Sequence, residues 1–563
     1  MEEQTLSTDC LSGNPRINRL LTLVLKELRG FTEAQAQQLS EMSEIGKALS
    51  AQRDPAVVLE MILSQARRIT AADGGTLYLL SPDRKELVFH VVHTDSLNSY
   101  MGGTSGKPVT IPNVPLFNPD NTQNTNNVSA YVANKGKIVN IPDVYEAEGF
   151  NFEGTKKFDK ALNYRSMSML VVPMRDHEEE IIGVLQLINA QDKTCDKTIP
   201  FGPDIVDMVA SLASQAAVVI TQQRLIEDLK KLFESFIRAI ATAIDEKSKY
   251  TGGHIERVAE LTMTIAERIN EMKEGPFAEV TFTEDELDEI RIAAWMHDTG
   301  KITTPEYVVD KSTKLETVFD RIELLKTRWL VIRLQRMLLA EQEKLELLKN
   351  DAYPEKIQAI ENALKDDLSK LDEDIQFIEK TNIGGEFLKD DAIQRLGEIA
   401  QRHFQGNGEK IPCLTTNELE NLAIRKGTLT NNEREIINNH ATMTIRILNQ
   451  LPWPRKLSRV PEIAGGHHEK LDGSGYPNGL KWDELSLQAR ILAVADVFEA
   501  LSARDRPYKE PMSLSKAIQI LGFMVKDNHL DKDVVDLFIK TGIHLEYARK
   551  YLSEKQIDIE AKT

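Results

Sequence analysis

Seven residues with nitrogen or carboxylate donors lie between positions 254 and 496, each on or beside an apolar helical pattern. They are His254, His297, Asp298, His440, His467, His468 and Asp496. A single histidine in such a place is usually a hydrogen-bonded core residue, but five histidines with two aspartates suit a divalent metal ion. In the His297-Asp298 pair, the carboxylate has two oxygens and can bridge two metals while its neighbour ligates one of them. The pattern predicts a metal site in a helical core.

His467 and His468 are adjacent in sequence. Two adjacent side chains can reach one metal cluster only where a helix ends tightly or irregularly. The segment GSGYP at 473–477 supplies such a break shortly downstream. We therefore expect both histidines to belong to one site.

Two motifs in this set resemble the signature of the HD-GYP family of HD phosphohydrolases. They are HDTGK at 297–301 and HHEKLDGSGYP at 467–477, within a similarity that covers about residues 235–312 and 425–550. The resemblance implies metal-dependent hydrolysis of cyclic di-GMP to pGpG, to GMP, or to both. Some members of the family act on the mixed cyclic GMP-AMP dinucleotide.

The resemblance divides the metal ligands into two sets that share one bridging carboxylate. The first metal would be held by His254, His297, Asp298 and Asp496. The second would be held by Asp298, His440, His467 and His468. Nitrogen and oxygen donors suit Fe or Mn, with Zn, Ni, Co or Mg as alternatives. We expect two divalent ions, which can activate water and neutralise the phosphate oxygens.

The resemblance also assigns substrate contacts and catalytic roles. Lys301 is expected to contact a phosphate and, together with Asp298, to take part in catalysis. Tyr476 is expected near the substrate. Arg506 and Lys509 resemble the basic residues of the family that contact the substrate's phosphates.

A third metal is held in some family members by a glutamate four residues before the first histidine ligand. Tyr250 stands at that position here. We therefore expect two metals and not three. Asp472 is one candidate acid for the leaving ribose oxygen, although nothing in the sequence selects it.

The N-terminal half resembles a GAF domain. The segment NYRSMSMLVVPMRDHEEEIIGVLQLINAQD, residues 163–192, is similar to the central hairpin of GAF domains. Of the family's NKFDE signature, three places match, at Asn189, Phe201 and Asp204. The other two hold Ala190 and Ile205. Two interpretations remain open: the domain senses a small-molecule ligand, or it serves only dimerisation and coupling.

These patterns predict the fold class: an α+β N-terminal GAF sensor domain plus an all-α HD-GYP domain with a helical-hairpin insertion, joined by a long linker helix. The predicted segments are an N-terminal helical segment at 1–40, the GAF domain at 41–222, the linker helix at 223–245, the catalytic domain at 246–312 and 425–555, and the insertion at 313–424.

The helix predicted from about 205 to 245 has no glycine or proline after Pro203. Its apolar residues fall near a heptad period at Val218, Leu225, Leu229, Leu232, Phe236 and Ile240. A seam of this kind favours a parallel homodimer through the linker helix and the GAF domain. The alternative is an ordinary amphipathic helix packed on its own domain.

The insertion is rich in charged residues and is broken by Pro354, which predicts an antiparallel helical hairpin. The charge run by itself is most simply a solvated helix face. The segments DKSTKLETVFDRI at 310–322 and IRKGTLTNNEREII at 424–437 are alike, so the insertion is expected to split one loop-helix element. Its role is open: it could cap the site, mediate dimerisation or receive the GAF signal.

Charge and composition narrow the partners. A net charge of −18 over 563 residues argues against a nucleic-acid polymer as partner. Cys10, Cys195 and Cys413 are far apart, so no disulfide framework or thiolate zinc site is expected. With no long apolar run and an acidic N-terminus, the sequence predicts a cytoplasmic protein with no membrane contact.

Two rival functions remain beside catalysis. The protein could bind cyclic di-GMP, or a partner such as a GGDEF-type cyclase, and signal without turnover. It could also hydrolyse another nucleotide, as other HD domains do, although the GYP segment argues against this.

Overall fold

The computed structural model describes residues 14–52, 54–192, 197–248, 252–349, 354–385, 387–406, 409–503 and 511–559. The chain forms two compact units that divide between Leu232 and Phe233.

The first unit consists of one antiparallel sheet with helices packed against it. Its elements are α1 (Pro15–Ala51), α2 (Pro55–Thr70), β1 (Ala72–Leu80), β2 (Glu86–Thr94), β3 (Ser99–Gly102), β4 (Val114–Pro115), α3 (Val128–Lys135), β5 (Val139–Ile141), α4 (Glu153–Leu162), β6 (Met169–Arg175), β7 (Ile181–Asp192), β8 (Lys197–Ile199) and α5 (Pro203–Asp245), whose residues from Phe233 onward belong to the second unit. The strand order is β3-β2-β1-β7-β6-β5, with β4 beside β2 and β8 beside β7. The predicted α+β fold is confirmed.

Local sequence explains how these elements begin and connect. Asp54 caps α2, because its Oδ1 accepts a hydrogen bond from the backbone N of Ala56 at 2.8 Å, and Pro55 follows as the first helical residue. The charged turn between β6 and β7 closes the predicted hairpin, which pairs Met169 with Ile188 and Arg175 with Ile181.

The central strands bury side chains on both faces of the sheet. On β1, Leu77 and Leu79 pack into a cluster with α2 and α5, whereas Tyr78 packs into a second cluster on the opposite side. Successive side chains of a strand point to opposite faces, so this alternation places an apolar layer on each side of the sheet.

Helix α5 runs without interruption, as its lack of internal glycine and proline predicted. Its first half packs into the core through Val209, Leu212, Ala213, Ala216, Ala217 and Ile220. Farther along, Leu225, Leu229, Leu232 and Phe236 are more than half exposed. Within the described part of the chain, α5 is also the one helix long and apolar enough to cross a membrane by length and composition. This stretch differs from the prediction of no long apolar run, and a core helix meets the same criterion.

The second unit is mainly helical. Its elements are α6 (His254–Glu271), α7 (Glu284–Met296), α8 (Glu306–Val309), α9 (Ile322–Lys349), α10 (Pro354–Asn382), α11 (Asp390–Gln401), β9 (His403–Gly406), β10 (Glu409–Pro412), α12 (Thr416–Leu422), α13 (Asn431–Leu448), α14 (Val460–Gly465), α15 (Leu487–Ser502), α16 (Leu514–Lys526), α17 (Lys532–Lys540) and α18 (Ile543–Tyr551). Short 3₁₀ turns lie at Thr299–Thr303, Arg455–Leu457 and Glu554–Gln556.

One apolar core holds α6, α7, α14, α15, α16, α17 and α18 together. Capping boxes fix the starts of two helices that carry or precede site residues. At α7, Thr283 and Glu286 satisfy each other's backbone N–H groups, and at α13, Thr430 and Glu433 do the same. The entry geometry of both helices is therefore set by local sequence.

The insertion forms the predicted helical hairpin, and α10 begins at Pro354. Its two helices are antiparallel, because ion pairs join Lys344 to Glu361 and, nearer the open end, Lys326 to Glu379. A small β9–β10 hairpin, absent from the sequence prediction, follows α11. The insertion has its own apolar cluster.

The two ends of the insertion meet at its base. Lys311 Nζ donates to Glu433 at 2.7 Å, and Thr428 Oγ1 donates to the carbonyl of Lys311 at 3.0 Å. These contacts join the two similar sequence segments, as expected if the insertion splits one loop-helix element.

Lys314 is a buried cation in the insertion, with a side chain that donates to the carbonyl of Leu422 at 3.0 Å. Burial lowers the pKa of Lys314 to about 8. The unfolded chain binds this proton more tightly, so charged Lys314 destabilises the fold below pH 8, and the penalty fades as pH rises toward the unfolded pKa.

We expect Lys314→Met to raise the free energy of unfolding at pH 7 by up to about 3 kcal/mol. The gain over wild type should shrink between pH 8 and the ordinary lysine pKa. Thermal unfolding across that pH range measures it, with the exposed Lys356→Met as control. A gain that does not vary with pH would contradict the assignment.

Candidate metal centre

All seven predicted metal-ligating residues lie within the described residues and on separate elements of one core. His254 is the first residue of α6, and His297 and Asp298 directly follow α7. His440 lies in α13 and Asp496 in α15. His467 and His468 follow the end of α14 at Gly465, the irregular helix end that their adjacency required. All are buried except His468, which is partly buried.

Gly300 allows the segment after Asp298 to approach α13 closely. A Cβ atom at Gly300 would lie 1.9 Å from the carbonyl oxygen of His440, so no other residue fits without moving the backbone. Thr444 Oγ1 accepts a hydrogen bond from Gly300 N and donates one to the carbonyl of His297, both at 2.9 Å. The glycine of HDTGK thus brings two parts of the site together, although about 140 residues separate them in sequence.

Three histidines are oriented by the same local device. Nδ1 of His297 lies 2.7 Å from the carbonyl of Ala294, and His467 makes the equivalent contact with Ala464 at 2.6 Å. His440 does the same with the carbonyl three residues before it. A carbonyl can only accept, so Nδ1 carries the proton and Nε2 keeps its lone pair.

The Nε2 atoms of these three histidines are buried and have no hydrogen-bond partner among the described residues. Buried polar atoms without partners are costly and rare, and lone pairs that converge on one place are what a metal ion needs. The residues present therefore fit a bound metal.

The donors form two groups whose ligating atoms lie within 4.8 Å of one another: His254 with His297 and Asp298, and His440 with His467 and His468. Asp298 lies between the two groups. Its Oδ2 is 3.5 Å from His254 Nε2 and 3.4 Å from His297 Nε2, whereas its Oδ1 is 3.5 Å from His440 Nε2. Each oxygen of this carboxylate thus faces a different group of histidines.

Asp496 completes the first group. Its Oδ1 lies 3.4 Å from His254 Nε2 and 3.9 Å from His297 Nε2. It reaches this position from α15, far along the chain. The first group therefore contains two imidazoles and two carboxylates, and the second contains three imidazoles, of which His440 faces Asp298.

Electrostatics keep the second group of histidines neutral. Burial lowers the pKa of His440, holds that of His467 well below its usual range, and brings that of His468 to about 4. Neutral imidazole is the form that binds metals. These side chains can therefore act as ligands at neutral pH without first losing a proton.

Asp298 stays ionised although it is buried. Burial would raise the pKa of Asp298, but the positive charge of Lys301 and the neighbouring imidazoles of His297 and His254 outweigh it and hold the pKa well below the usual range. Lys301 Nζ lies 2.6 Å from Asp298 Oδ2. The Lys301 side chain is 23% exposed, against 3% for Asp298, so it lies at the open side of the cluster.

Glu499 is a buried carboxylate beside His254, and it was not among the predicted site residues. It accepts a hydrogen bond from His254 Nδ1 and another from Arg257 Nε, the latter at 2.7 Å. His254 is thus oriented by a charged carboxylate where the other three histidines use a backbone carbonyl. Glu499 lies three residues after Asp496 on α15, and residues at i and i+3 share a helix face. This spacing was the sequence signal that could have placed Glu499 at the site.

We expect Glu499→Gln to weaken binding of one metal per chain by about 10- to 100-fold, because a neutral amide leaves His254 a poorer donor. Calorimetric titration of the metal-free chain with Mn²⁺ measures this. Glu462→Gln, an exposed glutamate of α14, is the matched control. Equal weakening of every bound metal, or none, would show that Glu499 has only a structural role.

The GYP segment is held beside the histidines by Glu469. Its carboxylate accepts hydrogen bonds from the backbone N of Asn478 at 2.7 Å and of Leu480 at 3.0 Å. The turn leaves the Tyr476 ring 4.8 Å from the ring of His468. Burial raises the pKa of Tyr476, so it remains a neutral hydroxyl that can donate a hydrogen bond.

Four further positions singled out in the sequence are Arg506, Lys509, Tyr250 and the candidate acid Asp472. Arg506, Lys509 and Tyr250, the last of which bears on a third metal, lie outside the described residues. Asp472 is exposed, and the hydrogen bonds from Ser474 lower its pKa, so it is a carboxylate at neutral pH and not a poised acid.

Comparison with known protein families separates the chain into the same two parts. Residues 54–220 match the GAF domain. Residues 251–379 and 415–534 match two descriptions of the HD domain. The first HD segment contains His254, His297 and Asp298, and the second contains the other four donors.

Several known relatives are phosphodiesterases by name. A probable cyclic di-GMP phosphodiesterase of Vibrio cholerae is 40% identical over 145 residues, which are 24% of this chain and 32% of that protein. A 3'3'-cGAMP-specific phosphodiesterase of the same organism is 45% identical over 97 residues, or 17% of this chain and 20% of the relative. A cyclic di-GMP phosphodiesterase of Thermotoga maritima is 38% identical over 139 residues, or 25% and 36%. The matches thus span between 20% and 36% of these relatives.

Proposed function

Because this chain carries a GAF domain followed by an HD domain like those of HD-GYP phosphodiesterases, we propose that it is a metal-dependent cyclic dinucleotide phosphodiesterase. The observation that carries the proposal is the position of Asp298, with one carboxylate oxygen toward His254 and His297 and the other toward His440. A carboxylate that faces two sets of imidazoles is suited to bridge two metal ions.

The proposed ligand sets follow this geometry. His254, His297, Asp298 and Asp496 hold the first ion. Asp298, His440, His467 and His468 hold the second. Iron or manganese suits this mixture of imidazole and carboxylate donors best. Two such ions would supply Lewis acidity and an activated water for attack on the phosphodiester.

The chain's own residues orient the substrate and stabilise charge. Lys301 lies at the open side of the cluster, where its ammonium group can donate to the nonbridging oxygens of the phosphate. Tyr476, next to His468, can contact the dinucleotide through its hydroxyl group. The cations of the site also offset the net charge of −18, which would repel an anionic substrate.

We propose cyclic di-GMP as the substrate, with pGpG or GMP as product. The mixed cyclic GMP-AMP dinucleotide is the second candidate, because it is in the name of a relative that is 45% identical. Incubation of the metal-loaded chain with each dinucleotide, followed by chromatography of the products, distinguishes the two. Release of pGpG or GMP faster from cyclic di-GMP supports the first, whereas faster cleavage of the mixed dinucleotide replaces it.

A binding protein without turnover is the alternative function. In that case cyclic di-GMP would bind to the metal-loaded chain and be recovered intact in the same assay. The buried Nε2 atoms without hydrogen-bond partners favour catalysis. They leave the lone pairs available to a metal, and a catalyst needs the metal whereas a protein that only binds the dinucleotide does not.

We also propose that the GAF domain regulates the site through α5, in response to a small-molecule ligand, in a cytoplasmic homodimer. The C-terminal end of α5 and the residues just after it contact two of the three segments that carry the first group of ligands. Asp245 Oδ2 accepts a hydrogen bond from the backbone N of Ile255, next to His254, at 3.3 Å. Lys247 Nζ donates to the carbonyl of Lys301 at 2.9 Å. A shift of α5 would therefore move ligands directly.

The dimer part of the proposal is supported by the exposed residues of α5. Leu225 and Leu232 are seven residues apart, and Leu229 and Phe236 form a second row with the same spacing. Two rows of exposed apolar side chains at this period fit a parallel coiled coil.

A further inference from the structure

One face of α9 is apolar although it lies at the surface. Eight large apolar side chains on it are between 41% and 59% exposed: Leu324, Leu330, Val331, Leu334, Met337, Leu338, Leu345 and Leu348. The opposite face, with Leu325, Trp329 and Ile332, is buried in the core of the insertion. Among its described residues, α10 has no such exposed large apolar side chain. Of the two helices of the hairpin, α9 is therefore the one that carries the apolar surface.

The spacing of these residues matches a coiled-coil seam. Leu324, Val331, Leu338 and Leu345 recur every seven residues. Leu334 and Leu348 lie three residues after a member of that row, in the second core position of the heptad, where Thr327 and Glu341 occupy the other two places. The helix has 28 residues, or four heptads, which is long enough for a coiled-coil interface.

Three cations of α9 are already paired with carboxylates of the insertion. Arg328 pairs with Glu418, and Arg333 with Asp372, both within the insertion. Lys344 likewise pairs with Glu341 on its own helix. With these cations neutralised internally, recognition at the outward face depends on apolar contact, which a matching apolar helix provides.

Charge at the two ends of the seam sets the orientation. Glu323, which also pairs with Lys326 on its own helix, stands at the first turn of α9, and Lys349 stands at the last. An antiparallel second copy brings Glu323 of one chain beside Lys349 of the other at both ends. The dipoles of the two helices then run in opposite directions, which is the favourable arrangement. A parallel copy would place like charges side by side at Glu323 and at Lys349.

We propose that α9 docks against α9 of a second copy of this chain as an antiparallel coiled coil, with the helix midpoint on the two-fold axis. The midpoint lies between Gln335 and Arg336. The two copies of Leu334 are then about 5 Å apart along the axis, whereas the two copies of Leu324 are about 35 Å apart. Leu324 of one chain instead lies close to Leu348 of the other. This interface is independent of the proposed phosphodiesterase activity.

Single-cysteine cross-linking of the full chain tests the proposal. The starting chain carries Cys10→Ser and Cys195→Ser, and Cys413 is buried. With a short bis-maleimide reagent, we expect a covalent dimer from Leu334→Cys and none from Leu324→Cys. An equimolar mixture of the Leu324→Cys and Leu348→Cys chains should cross-link again.

Charged substitutions on and off the seam complete the test. Val331→Glu with Leu338→Glu should lower the yield of the Leu334→Cys dimer at least tenfold. Leu339→Glu, an equally exposed position beside the seam, should leave it unchanged. If the Leu324→Cys chain cross-links to itself without the Leu348→Cys chain present, the two helices are parallel. If Leu334→Cys fails to cross-link, no second copy covers the face. Either result overturns the proposal.

Discussion

Replacement of His297 and Asp298 with alanine will abolish hydrolysis of cyclic dinucleotides, with a loss in turnover of more than about 10³-fold. The double variant removes an imidazole of the first group and the carboxylate that faces both groups. It also leaves Lys301 without its nearest counter-ion. If both ions share Asp298, as proposed, metal content will fall at both positions and not at one.

Metal analysis and product chromatography on the same preparation measure this outcome. His403→Ala, an exposed histidine in the insertion, is the matched control and should retain both metal and activity. Circular dichroism checks that the chain is folded, and Asp298→Asn, which preserves side-chain shape, serves if the double variant is unstable. Full turnover in a folded double variant would refute the assignment of the site.

Replacement of Lys301 by methionine should lower kcat by about 10²- to 10³-fold while the chain still binds its metals. The side chain contacts Asp298, yet it is partly exposed at the open side of the cluster, so its ammonium group can reach the phosphate. Lys301→Arg keeps the charge and should restore part of the rate. The exposed Lys526→Met is the matched control.

Metal content separates this role from a structural one. If Lys301 only balanced the charge of Asp298, its loss would change metal binding and rate together. A drop in kcat with unchanged metal content supports phosphate stabilisation. An unchanged kcat would remove Lys301 from the catalytic residues.

Much of the site could be predicted from the sequence because its ligands lie in compact motifs. HDTGK and the segment from His467 to Pro477 contain donors and glycines whose spacing is read directly. The long α5 helix and the hairpin within residues 163–192 also follow from local patterns. The domain boundaries and ligand roles remain predictions.

Other features depend on contacts between distant segments, which local patterns do not contain. Glu499 reaches His254 across 245 residues, and Thr444 connects His297 to Gly300 only because α13 crosses that segment. Neither has a motif of its own.

Two features that were not predicted, the β9–β10 hairpin and the apolar face of α9, do have a signal in the sequence. The β9–β10 hairpin contains the turn sequence Gly-Asn-Gly at 406–408, which favours a tight hairpin. The charge of the insertion was interpreted as a solvated face, and this holds for α10 but not for α9, whose outward face is leucine-rich. Averaging charge over both helices concealed the difference.

The most direct measurement of the central claim is a metal titration of the metal-free chain with activity as the readout. Mn²⁺ or Fe²⁺ is added stepwise, and the release of pGpG or GMP from cyclic di-GMP is followed at each step. If the two groups around Asp298 form one centre, activity is low until both are filled and reaches a plateau at two ions per chain. Intact cyclic di-GMP at every metal concentration, or full turnover in the metal-free chain, would contradict it.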